Sequence, residues 1–116
     1  MATVTNFVRP IGVTTAVSVT ASATAEVLVN NASNDQNNCV ALLNTGATQV
    51  AIKFGPTGVS APVLPVSGST TGDFVLPAGM TVPLIFAVPT TPTYVRMIGS
   101  AAGPSIVYVT PAGDQS

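Results

Sequence analysis

Residues able to move protons, hold a metal or attack a carbonyl are few in this chain. The acids are Glu26, Asp35, Asp73 and Asp114, the bases are Arg9, Lys53 and Arg96, the one thiol is Cys39, and histidine is absent. Without an imidazole neither a Ser-His-Asp nor a Cys-His arrangement can be built. Glycoside hydrolysis would need two of the four acids on either side of one bond. Glu26 and Asp73 could meet in a folded chain, but no spacing draws them together, and solvated strand or turn positions account for both. Cys39 lies in the apolar run Cys39-Val40-Ala41-Leu42-Leu43 with no basic neighbour, which reads as a buried small hydrophobe and not a nucleophile. Asn34, Asp35, Asn37 and Asn38 offer oxygens of the kind that Ca²⁺ takes. A single carboxylate makes a weak site, however, and the EF-hand glycine and terminal glutamate are missing, so an Asx-turn loop is the simpler reading. Asn31-Ala32-Ser33 matches a glycosylation acceptor, which matters only in a secreted chain. Tyr94 and Tyr108 could form a small sugar platform, or pack in strands with their hydroxyls outward. The expectation is a protein that is not an enzyme and holds no cofactor or metal.

The same scarcity bounds the partners. Charged residues make up 6% of the 116 residues and hydrophobic ones 47%, whereas about 25% charged is ordinary for a soluble domain. A surface so poor in charge is either covered by Thr, Ser, Asn and Gln or hidden against other protein, since charge is depleted at interface cores. Three dispersed cations cannot form the basic face that nucleic acid requires. No run of about 18 apolar residues offers a membrane span, and the first ten residues show no basic start followed by an apolar stretch. A lone cysteine suits assembly in a reducing cytoplasm.

The elements that would position these groups are strands. Ile11, Val13, Thr15, Val17 and Val19 alternate with Gly12, Thr14, Ala16 and Ser18, the period-two pattern of a half-buried strand. A short run follows at Glu26–Val29, then a polar loop over Asn30–Asn38. Cys39–Leu43 and Gln49–Phe54 flank Asn44-Thr45-Gly46, which predicts a hairpin. Asp73–Leu76, Thr81–Phe86, Thr93–Ile98 and Ser105–Thr110 complete the set, with Pro83 marking an edge or bulge and a frayed tail expected from Ala112 onward. About eight short antiparallel strands with turn signals every 8–12 residues predict an all-β sandwich, of jelly-roll type on strand count.

Two segments stand apart from that sandwich, which is expected to span 11–116. Residues 1–10 (MATVTNFVRP) read as an extended arm whose Val4, Phe7, Val8 and Arg9 meet a neighbouring chain, or equally as the first strand of the domain itself. Residues 55–72 form a long Pro- and Gly-rich loop. Its Val59, Val63, Leu64 and Val66 need cover from the domain or from another subunit.

The order of the strand phrases resembles a known family. Cys39-Val40-Ala41-Leu42-Leu43-Asn44-Thr45-Gly46 followed by Val50-Ala51-Ile52-Lys53-Phe54-Gly55 is similar to a hairpin of small tailed-phage virion proteins. Phe74–Gly79, Tyr94–Gly99 and Ile106–Pro111 continue the likeness over about residues 39–113. These phrases resemble capsid decoration, or cement, proteins and head-fibre bases. The resemblance implies a subunit made in the host cytoplasm and bound to the outside of an icosahedral shell, bridging adjacent major capsid subunits as a homo-dimer or homo-trimer. The arm and the long loop are the candidate contacts on composition alone. A tail or fibre-base module, or a carbohydrate-binding adhesion module, would share the same composition.

Overall fold

A computed structural model describes residues 8–30, 38–101 and 103–114. Nine strands run in order, with no helix among the described residues: β1 (Val8–Pro10), β2 (Thr15–Val19), β3 (Val27–Leu28), β4 (Cys39–Asn44), β5 (Val50–Gly55), β6 (Phe74–Leu76), β7 (Leu84–Ala87), β8 (Tyr94–Gly99) and β9 (Ser105–Asp114). They form two antiparallel sheets. Sheet A has the order β1-β9-β4-β7, with β2 also on β9, and sheet B has the order β3-β8-β5-β6. The pairs β2·β9, β3·β8, β4·β7 and β5·β6 are those of one long hairpin folded at its middle. The pairs β4·β9 and β5·β8 roll that hairpin into two layers.

Alternation along each strand decides what the layers bury. Val17, Val19, Val40, Leu42, Val107 and Val109 point inward from sheet A, and Val50, Ile52, Leu76, Val95 and Met97 meet them from sheet B in one cluster. Phe86 of β7 closes one side of the sandwich, with its ring centroid 5.4 Å from those of both Phe54 and Phe74. The all-β sandwich expected from the pattern is present.

Three local expectations are corrected. The segments 39–44 and 50–55 do not form a hairpin: β4 lies in sheet A and β5 in sheet B, so the connection arches across the core. Both strands carry an apolar inward face, and their places in opposite layers set Val40 and Leu42 across the core from Val50 and Ile52. Fully buried Asn44 pins the arch, donating from Nδ2 to Thr48 O (2.9 Å) and Pro77 O (3.1 Å) and accepting from Gly46 N (3.1 Å). Gly46 packs so closely on Ser105 that a Cβ would collide with its backbone.

The first long strand is shorter than its alternation implies. Only Thr15–Val19 is strand, and Val13 is 82% exposed. Gly12, at φ +100°, breaks the edge there.

The last strand is longer than expected, running through Pro111 to Asp114, so Ala112–Asp114 is not a frayed tail. Proline is tolerated because Pro111 turns its N and C=O towards the broken edge, where its carbonyl accepts from Ile11 N at 2.7 Å; the ladder to β4 loses no donor. Residues Val8–Pro10 of the expected arm pair with Asp114–Ala112 of the same chain.

Candidate interaction site

Four of the seven charged residues serve one purpose. Glu26 precedes β3, Lys53 is on β5, Asp73 precedes β6 and Arg96 is on β8, and all four bind the 56–72 loop. Glu26 Oε1 accepts from Gly58 N and Oε2 from Thr57 Oγ1, both at 2.8 Å. Lys53 Nζ donates to Ser60 Oγ (2.6 Å). Arg96 donates from Nη1 to Val59 O (3.2 Å) and from Nε to Thr24 O (2.8 Å). Asp73 Oδ2 accepts from Val63 N (2.7 Å), while Asp73 N donates to Val63 O (2.8 Å). Lys53 and Arg96 sit opposite each other on the outward face of sheet B, so the loop is strapped over that face, where Ala51 is fully buried. The amide of Gly58, then the Thr57 hydroxyl and more weakly the Arg96 charge, hold the Glu26 carboxyl below the usual carboxylate range.

The strap answers what covers the loop's apolar side chains. Val59 packs on Gly55, Leu64 is half-buried and Pro62 is buried, whereas Val63 (48%) and Val66 (66%) remain exposed. Val4 and Phe7 lie outside the described residues. For Val8 and Arg9 only the backbone pairing in β1 is described.

The groups weighed for chemistry do not converge. Glu26 and Asp73 fasten different points of the loop. Tyr108 lies on the outward face of sheet A and Tyr94 on that of sheet B, so they share no sugar platform. Among the described residues no three His, Cys, Asp or Glu side chains cluster as a metal site. Cys39 is buried, with Sγ 3.4 Å from Asn38 Oδ1. Of the oxygen-rich loop, residues 31–37 lie outside the described set.

The outward face of sheet A is a different surface. Register places Ala16, Tyr108 and Leu43 in one row and Thr110, Ala41 and Ile85 in the next. Its described side chains on β2, β9, β4 and β7 include no charge. Ile85 is 46% and Tyr108 38% exposed, and Thr14 and Thr110 share a hydroxyl hydrogen bond at the rim (2.8 Å). The sequence held a signal for this face: unbroken apolar runs such as Cys39–Leu43 and Leu84–Ala87 leave both sides of a strand apolar, unlike an antiparallel strand with one solvated face.

A cleft opens at the end of the sandwich where β1 begins. Phe54 and Pro56 form one wall, and Pro89, Thr91, Pro92 and Thr93 form the other, around about 420 Å³. The second wall is braced by Asn30, expected to open a polar loop but in fact 2% exposed. Its Nδ2 donates to Pro89 O (2.8 Å) and Thr91 O (2.6 Å), and its Oδ1 accepts from Thr93 N (3.2 Å). Comparison with family models, curated proteins and solved structures finds no match for this chain.

Proposed function

We propose that this chain is a virion structural protein of the decoration type, a jelly-roll subunit that binds the outer capsid surface through the outward face of sheet A and bridges neighbouring major capsid subunits. The outward face of sheet A, which carries no charge among its described side chains and leaves Ile85 and Tyr108 exposed, carries the proposal. The outward face of sheet B is covered by its own strapped loop, and four of the seven charged residues hold that strap. The pairing of strands as a rolled hairpin supports the jelly-roll assignment, the double-sheet solution to exposed edges.

Size sets the mode of binding. Four strands about 4.8 Å apart and about five residues long at 3.4 Å each present roughly 320 Å². That is under half of the ~800 Å² per partner of a stable interface. One such contact is weak, and a subunit engaging several joints at once gains through effective concentration. A repetitive shell supplies that arrangement, whereas a single soluble partner does not. A tail or fibre base offers similar repetition and is distinguished by location on the particle.

The test is co-sedimentation of the protein with mature and immature capsids, using the native chain and Ile85→Lys, which places a charge on the face in the row of Thr110 and Ala41, at its β7 edge. Saturable binding to the mature shell, lost in Ile85→Lys while its thermal unfolding stays native, is the expected result. Absence of binding to any shell, or equal binding by Ile85→Lys, sinks the proposal.

A further inference from the structure

We propose that β7 is a dimerisation edge, pairing antiparallel with β7 of a second copy of this chain about a two-fold axis at Phe86 and joining the two A sheets into one. The inference goes beyond capsid binding and rests on the backbone of a sheet edge.

Register fixes which way each backbone group of β7 points. Val40 lies level with both Pro111 and Phe86, and Pro111 gives its carbonyl to Ile11 N on the far side of β9. Bonded and non-bonded pairs alternate along an antiparallel strand, so Val40 directs its own N–H and C=O to Phe86. Val88 N keeps the same phase, donating to Asn38 O at 2.9 Å. Ile85 and Ala87 therefore turn both backbone groups away from β4. Both residues are exposed, and β7 has no second strand partner among the described residues.

The pattern along that edge is symmetric about Phe86. Positions 83, 85, 87 and 89 read Pro, Ile, Ala and Pro, so two donors lie between two residues that have none. Centred on Phe86, a second copy sets Ile85 level with Ala87 twice over, which makes four N–H···O bonds. Pro83 then falls level with Pro89, where neither strand offers a donor. Centred on Ile85 or on Ala87 instead, a carbonyl would face a proline and stay unpaired. The prolines select one register and stop the pairing from running on. Charge, a common guard of sheet edges, is absent from Met80 to Tyr94.

The core is also open along this edge. Leu84 is level with buried Leu42, and Phe74 of β6 is level with buried Ile52, so both side chains point inward. They are nevertheless 38% and 54% exposed. The Phe74 ring meets that of Phe86 edge-on, which places both layers' contributions on one side of the sandwich. A two-fold axis normal to sheet A keeps the inward faces of both copies on the same side. Each copy then brings Phe74, Leu84 and Phe86 against those of the other, an isologous contact that closes at two subunits.

Sedimentation velocity on the full chain over a wide concentration range tests the proposal, with Ala87→Pro and Ala87→Ser beside the native chain. The Ala87 N–H points away from β4, so Ala87→Pro should keep its fold, which circular dichroism checks. The native chain and Ala87→Ser should dimerise. Ala87→Pro should do so about thirtyfold more weakly, having lost two of the four bonds. Hydrogen exchange on the native chain needs no variant. The Ile85 and Ala87 amides should be protected at high concentration and exchange fast on dilution, while the Phe86 amide stays protected at both. A monomeric native chain, a dimer in which those two amides exchange freely, or equal association by a folded Ala87→Pro would each overturn the proposal. Protection of the two amides only after capsids are added would also overturn it, assigning the edge to a capsid strand. The association assay contains no capsids, so its failure leaves the capsid-binding proposal to its own test.

Discussion

Asn44 is the residue on which the two-sheet arrangement turns, and replacing it gives a sharp energetic test. In Asn44→Ala the three side-chain hydrogen bonds are lost. Thr48 O keeps a partner, since Ser105 Oγ donates to it at 3.2 Å. Pro77 O and Gly46 N do not, although Pro77 is exposed and Gly46 half-buried, so water can reach them in part. At about 1 kcal/mol for each of these two groups, and somewhat less for the bond to Thr48, the loss is about 2–3 kcal/mol. A total stability of about 5–15 kcal/mol for a domain of this size makes that a large shift in a urea titration. Asn44→Asp is the informative companion. It restores the acceptor for Gly46 N but turns a carboxylate towards the Thr48 and Pro77 carbonyls. Burial and those carbonyls raise its folded pKa above the unfolded value, so protonation favours the fold and the deficit grows as pH rises. Asn44→Asp should be less stable than Asn44→Ala at neutral pH and recover on acidification, when the protonated acid can donate one hydrogen bond. A loss below about 1 kcal/mol for Asn44→Ala, or an Asp variant at least as stable as the Ala variant at neutral pH, refutes the pinning role.

Other outcomes follow from the strap and the uncharged face. The Glu26 clasp on Gly58 and Thr57 is fully present above the ordinary carboxylate value of 4.5 and is lost as pH falls through its lowered folded value, so hydrogen-exchange protection of the Gly58 amide should drop on acidification. Glu26→Ala should give the same loss at neutral pH, while protection at the core residues Val95 and Val107 stays native; unchanged Gly58 protection in either case contradicts the clasp. Capsid affinity should hold steady as ionic strength rises and the screening length falls from about 30 Å at 0.01 M to about 8 Å at 0.15 M. A steep decline, read by the same co-sedimentation, would mean that charged groups carry the contact.

Much of the sandwich was legible because its determinants are local. Val17 with Val19, Val27 with Val29, Val50 with Ile52, and Tyr94 to Ile98 announce strands by period and by branching at Cβ, and turn residues separate them. The arch at Asn44–Gln49 was not legible, since Asn-Thr-Gly followed by a second apolar run suits a hairpin and a layer crossing equally. The long-range pairings of β4 with β7 and β9, and of β5 with β6 and β8, decide between the two. Pro111 misled for a related reason. A missing N–H ends a strand only where the ladder needs it, and Gly12 removes that need from another part of the chain. Asn30 looked like the first residue of a solvated loop, and its burial depends on three backbone partners 59 to 63 residues away.

Composition and period alone determine that this is an all-β chain with seven charged side chains and no histidine. They act through side-chain type and nearest neighbours, which folding does not change. Tertiary structure decided where the scarce charges went, which apolar surfaces were left open, and what shape they took. Glu26, Lys53, Asp73 and Arg96 are scattered over 71 positions and meet on one loop, while Ala41, Ile85 and Tyr108 come from three strands to share one bare face. Such surfaces arise from pairings between residues far apart in the chain, whose free energy depends on how both layers pack at once.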